Sequence, residues 1–190
     1  MISERLRTET AHHHEAIENA KRFRRLGQPD FNLEEYKQML ALFYGFYLPL
    51  EESFRRFPQV LNALDYEARF KLPLLARDLK ALGYTDDMLT QIPHCAYVPE
   101  VNSNAQALGA IYVMEGSTHG AQFIAKRLRE QLSLGDEGLS YYQGYGSETQ
   151  ARWKAFKLYL DSALEGGAQN DQVVATASKT FEALHRWMNQ

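Results

Sequence analysis

Apolar positions along the 190-residue chain recur at helical spacing, and no stretch keeps the strict alternation of a half-buried strand. Cap and turn residues set the expected boundaries. Ser3 is placed to cap a first helix running to about Phe23, and "RRLGQPDFN" then turns the chain. Asn32, followed three residues later by Glu35, has the form of a capping box and opens a helix through "LEEYKQMLALFYGFYLPLEESFRRF". Pro49 is expected to kink that helix, because it lacks a backbone donor and crowds the preceding turn. A third helix is predicted over about Tyr66 to Leu82 with Pro73 as a second kink, followed by a turn and short helix in "GYTDDMLTQIP". From Asn102 or Ser103 a long helix runs to about Leu132. "SLGDEGLSYYQGYGSE" reads as a loop, and two more helices cover about Glu148 to Leu164 and Asp171 to Met188. The expected fold class is all-α, a bundle of six or more helices. No repeat, low-complexity tract or linker divides it, so residues 1–190 read as a single domain.

The long helix raises a question of its own. "IYVMEGSTHGAQFIAKRL" contains Gly116 and Gly120, and Gly109 lies just before it. Each glycine inside a helix costs roughly 1 kcal/mol relative to alanine. At about 100° per residue the three fall within roughly 40° of one another, forming one stripe of bare backbone. Such a stripe lets something approach closely, either another helix or a flat ligand.

Composition narrows the partners. The chain is 45% hydrophobic, enough for a sizeable core, and its formal net charge of -3 is spread along its length, which argues against nucleic acid or a polybasic membrane surface. Cys95 is the single cysteine, so neither an intrachain disulfide nor a cysteine-rich zinc site can form. The N-terminal stretch has charges from Glu4 onward and no apolar run of signal-peptide length, and no segment approaches a membrane span. A cytoplasmic location is expected.

Three consecutive histidines, His12, His13 and His14, are rotated about 100° from one another on a helix, so at most two face the interior. His14 has Glu18 one turn later, where a carboxylate can accept the Nδ1–H and leave Nε2 free as a neutral ligand.

"LRTETAHHHEAIENA" and "YVMEGSTHGAQF" together resemble the heme oxygenase family. Its proximal helix reads Leu-basic-x-x-Thr-x-x-x-His-x-x-x-Glu-Asn-Ala, and its distal helix carries two glycines four residues apart. Leu6, Arg7, Thr10, His14, Glu18, Asn19 and Ala20 fall in register with the first pattern, Gly116 and Gly120 with the second. The Glu-Gly-Ser-Thr-x-Gly run is similar to the bacterial branch. The resemblance implies heme, both cofactor and substrate, held between the first (proximal) helix and a kinked distal helix. It implies His14 as the iron ligand, oriented by Glu18, with O2 bound opposite beside Gly116 and Gly120. Ring opening then gives biliverdin, carbon monoxide and ferrous iron. Arg7 is implied as a cation for the heme propionates, Arg152 and Lys154 as further rim cations around Trp153, and Tyr112 and Phe181 as aromatic heme contacts. Electrons are expected from a ferredoxin or a flavin reductase, and the chain is expected to act as a monomer.

One position departs from the pattern. Many members carry aspartate just after the first distal glycine; here it is Ser117, whose hydroxyl can order water but holds no fixed negative charge. Ser117 is grouped with Gly116 and Gly120 as catalytic. His119 lies about 80° off the glycine stripe, which points to a packing or surface role.

Two other functions fit parts of the chain. Glu9-x-x-His12 and Glu182-x-x-His185, with Glu51, Glu52 or Glu115, could build a di-iron carboxylate bundle, which leaves the glycines unexplained. A heme-binding sensor without catalysis is favoured by Ser117 alone.

Overall fold

Thr10 ends the first helix well before its apolar spacing predicts. Its hydroxyl donates to the Leu6 carbonyl at 2.7 Å, and its backbone leaves helical geometry at φ -100°, ψ 4°. Residues expected as one helix therefore form α1 (Ile2–Glu9), α2 (Ala11–Glu18) and α3 (Lys21–Leu26), with Ala20 extended before the last. Ser3 caps nothing. Its backbone N–H and hydroxyl both donate to the Asp161 carboxylate, at 2.8 and 2.7 Å, tying the N-terminus to a distant helix.

The computed structural model describes residues 1–190. After the first three helices come α4 (Leu33–Phe54), α5 (Pro58–Leu64), α6 (Leu72–Ala81), α7 (Asp86–Thr90), α8 (Asn104–Gly116), α9 (Thr118–Leu132), α10 (Ser140–Gln143), α11 (Thr149–Ser162) and α12 (Ala168–Met188), with short 3-10 turns between some of them. The all-α class holds, and the Asn32–Glu35 capping box is complete. Of the two prolines, Pro73 departs from expectation. Pro49 lies inside α4, which continues past it. The carbonyl that its missing N–H would have bonded, that of Gly45, instead accepts the Cys95 N–H at 2.9 Å. Pro73 sits in the first turn of α6, where a missing donor costs nothing, so it starts a helix rather than kinking one. The residues before it form a 3-10 turn, Tyr66–Arg69.

α8 packs most extensively against α12. Gly109 makes that approach possible: a Cβ there would run into the Val173 carbonyl oxygen and the Thr176 side chain. One contiguous apolar core runs from Ile2 to Met188 and includes the α4 aromatics Phe43, Phe46, Tyr47 and Phe54. No helix is long and apolar enough to cross a membrane.

Candidate active site

The predicted long helix is divided at Ser117, with α8 ending at Gly116 and α9 beginning at Thr118. Two hydroxyls hold the joint. Ser117 Oγ donates to the Met114 carbonyl and Thr118 Oγ1 to the Glu115 carbonyl, each at 2.7 Å. Beside this joint lies a cavity of about 410 Å³, mostly apolar, bounded on the opposite wall by α2. That is within the roughly 300–1,000 Å³ typical of small-molecule and cofactor sites.

His14, Glu18, Tyr112, Gly116, Ser117, Gly120 and Phe181 all line it, so seven of the ten predicted site residues come together. The His14 side chain is 61% exposed, and its Nδ1 stands 3.5 Å from Glu18 Oε1, slightly beyond hydrogen-bond length. Phe181 sorts the neighbouring imidazoles: His13 stacks on its face at 6.4 Å, whereas His14 meets it edge-on at 6.2 Å. His13 is half-buried, its Nε2 lies 3.7 Å from Glu182, and burial lowers its pKa. It does not line the cavity. Across the space, a Cβ at Gly120 would meet nothing within 4 Å, and one at Gly116 would meet only the Trp153 indole at 3.8 Å. The glycine stripe thus has two functions, helix packing at Gly109 and an open wall at Gly116 and Gly120.

The three predicted rim cations stand outside the lining. Arg7 is exposed and lies near the Tyr112 hydroxyl, whose pKa burial raises and Thr10 and Arg7 partly lower. Arg152 is occupied: its Nε donates to Glu148 at 2.9 Å and its guanidinium stacks over Tyr145. Lys154 is exposed. A cation not anticipated, Lys157, is half-buried over Trp153 at 5.6 Å from the ring centroid. His119 packs edge-on against Trp153 with Nδ1 3.3 Å from the Gln150 amide and, despite its angular offset from the glycine stripe, borders the cavity.

Below Ser117 lies a polar floor that helical periodicity does not reveal. The Tyr47 and Tyr141 hydroxyls are 2.9 Å apart, both buried and both within reach of the Ser117 side chain. Burial pushes the Tyr47 pKa up to about 12 and that of Tyr141 well above the ordinary range, so both are neutral hydroxyls at any physiological pH. Next to them the Glu115 carboxylate accepts from Arg69 at 2.6 Å, Lys71 at 2.9 Å and the Tyr145 hydroxyl at 2.6 Å, all buried or nearly so. Glu51 accepts the Lys71 and Leu72 backbone N–H groups at 2.6 and 3.2 Å, capping α6. Two of the carboxylates the di-iron reading could use, Glu51 and Glu115, are therefore committed elsewhere, and no group of three or more His, Cys, Asp or Glu side chains is arranged to hold a metal ion.

Glu51 makes a pH prediction. Burial raises its pKa to about 7 despite the two N–H bonds. With the folded value above the unfolded one, the folded state holds the extra proton between roughly pH 4.5 and 7. Stability is expected to fall across that window, by up to about 3 kcal/mol, and to level off above it. Urea unfolding of wild type and Glu51→Gln across this range should show the decline in the wild type alone; parallel curves would refute it.

A family profile described as heme oxygenase matches residues 1–190. The chain belongs to the heme oxygenase family. A curated heme oxygenase of Xanthomonas campestris pv. campestris (strain 8004) is 28% identical over 160 residues, covering 84% of this chain and 92% of that one. Among solved structures, heme oxygenase from Leptospira interrogans superposes with a TM-score of 0.82 at 19% identity, covering 99% of this chain and 98% of that one. Heme oxygenase-1 of the cyanobacterium Synechocystis sp. PCC6803, solved in complex with heme, superposes at 0.77 with 16% identity, covering 99% and 90%. These likenesses share the all-α fold, and the activity of the chain is that of a heme oxygenase.

Proposed function

We propose that this protein binds heme between α2 and the α8–α9 joint, with His14 on the iron, and opens the macrocycle to biliverdin, carbon monoxide and ferrous iron. The observation carrying this reading is a single apolar cavity with an accessible imidazole on one wall and the side-chain-free backbone of Gly116 and Gly120 on the other. Heme, as substrate, supplies the redox chemistry with O2. The chain orients it and excludes bulk water. His14 uses Nε2, with Glu18 receiving the Nδ1–H after a small side-chain rotation. Phe181, Tyr112 and Trp153 pack against the ring. Ser117, backed by Tyr47 and Tyr141, orders water on the oxygen side in place of a carboxylate.

Arg7 receives one propionate, since no carboxylate lies within ion-pair distance of it and it stands close to Tyr112. The second goes to Lys157, half-buried over the cavity-lining Trp153, in preference to Arg152, which is engaged, or Lys154, which is exposed. Electrons come from an external ferredoxin or flavin reductase; the lone buried Cys95 rules out an internal dithiol as their source.

Titration of the purified protein with hemin is expected to give a one-to-one Soret complex, which reductant and O2 convert to the broad red absorption of biliverdin. A Soret band that persists unreacted would replace this reading with non-catalytic heme binding. Failure to form the complex, with non-heme iron bound instead, would return the di-iron alternative.

A further inference from the structure

Lys71 borders the cavity although it belongs to the start of α6, remote in sequence from both glycines and histidines. Its ammonium donates to Glu115 Oε1 at 2.9 Å and to the Tyr145 hydroxyl at 2.6 Å, and the Tyr145 ring lies 4.4 Å from Nζ. An ammonium has three donors, and the third has no protein partner. Its surroundings bear on its charge. Arg69 shares Glu115, pairing through the other carboxylate oxygen at 2.6 Å, so two cations meet one full anion; Glu51 and Arg152 complete the charged groups around them. Burial, with a smaller contribution from Arg69, lowers the Lys71 pKa, and Glu115 and Glu51 only partly offset this.

We propose that Lys71, positioned by Glu115 and Tyr145, supplies the fixed charge of the oxygen-side wall: a cation whose free N–H holds the water that Ser117, Tyr47 and Tyr141 order beside bound heme. The polarity is opposite to that of an aspartate at the position of Ser117. Lys71 acts through water, as a positioning residue. The inference rests on the heme-binding reading above and goes beyond it by assigning the sign and source of the field. Glu115, immediately before the hinge glycine, joins the shape of the distal helix to that charge.

The test is the pH midpoint of the acid–alkaline spectral transition of the ferric heme complex, which reads the local field without turnover. A unit charge across a cavity of this size, at an effective dielectric of about 20, shifts such a midpoint by roughly one pH unit. Lys71→Met is expected to raise the midpoint by about that amount with hemin stoichiometry unchanged; Lys71→Arg, which retains the charge, is expected to keep it near wild type. Should Lys71→Met not fold, the triple change Arg69→Met, Lys71→Met and Glu115→Leu removes the whole ionic triad, a replacement buried triads tolerate, and is expected to give the same upward shift. An unmoved midpoint in whichever neutral variant folds, with the heme complex intact, overturns the proposal. Absence of a wild-type heme complex would instead overturn the functional reading beneath it.

Discussion

Replacing His14 by alanine is expected to abolish the normal axial ligation of bound heme and to reduce ring opening by more than about 100-fold, since loss of a ligand's supporting partner alone costs 10–100-fold. His13→Ala is expected to leave both nearly intact. The two imidazoles are chain neighbours with the same chemistry, so the contrast rests on placement. His14 is largely exposed into the cavity with its far nitrogen free, whereas His13 is pressed onto Phe181 and faces Glu182. Removing His13 forfeits an aromatic stack of about 0.5–1.5 kcal/mol and touches heme only indirectly, through Phe181. Absorption and electron paramagnetic resonance spectra of the two hemin complexes decide the matter. Equal spectral losses would mean that the wrong member of the triplet has been assigned to iron.

Much of this site was legible in the chain because its contributors follow helical arithmetic. His14 and Glu18 are one turn apart on α2, and Gly116 and Gly120 one turn apart across the joint, so each pair shares a face wherever its helix packs. The family pattern then set the two faces opposite one another. What helical arithmetic could not supply is anything fixed by tertiary bonding. Thr10 reads as an ordinary helical residue until its hydroxyl turns back on Leu6. Pro73 reads as a kink because nothing local says that the helix starts one residue earlier. Lys71, Tyr47, Tyr141 and Tyr145 come from three separate segments, and the signal for them was weak: a buried Glu115 beside the hinge glycine needs cationic partners, but spacing does not say which. The surroundings of the rim cations were hidden for a related reason. Arg152 rested on few matching positions, and Glu148 one turn earlier claims it, while Lys157, one turn beyond Trp153, lies over the indole.

The glycine stripe gives the second large expectation, because two of its members should respond to the same substitution with opposite signs. Gly109→Ala places a methyl against the backbone of α12, which cannot yield as a flexible side chain would. It is expected to destabilise the heme-free protein by about 2 kcal/mol or more, outweighing the gain in helix propensity. Gly120→Ala meets open space and should stabilise the heme-free protein by about 0.5–1 kcal/mol. Hemin works against the second result. A ligand stabilises the fold in proportion to its affinity, and a methyl on the cavity wall opposite His14 crowds the macrocycle, so saturating hemin should raise the melting temperature of Gly120→Ala less than that of wild type. Gly109→Ala should keep the wild-type increment, because its methyl faces α12 and not the cavity. Melting curves with and without hemin measure all four quantities. If both substitutions destabilise the heme-free protein alike, Gly120 is a packing residue as Gly109 is, and the open wall on which the oxygen side depends does not exist.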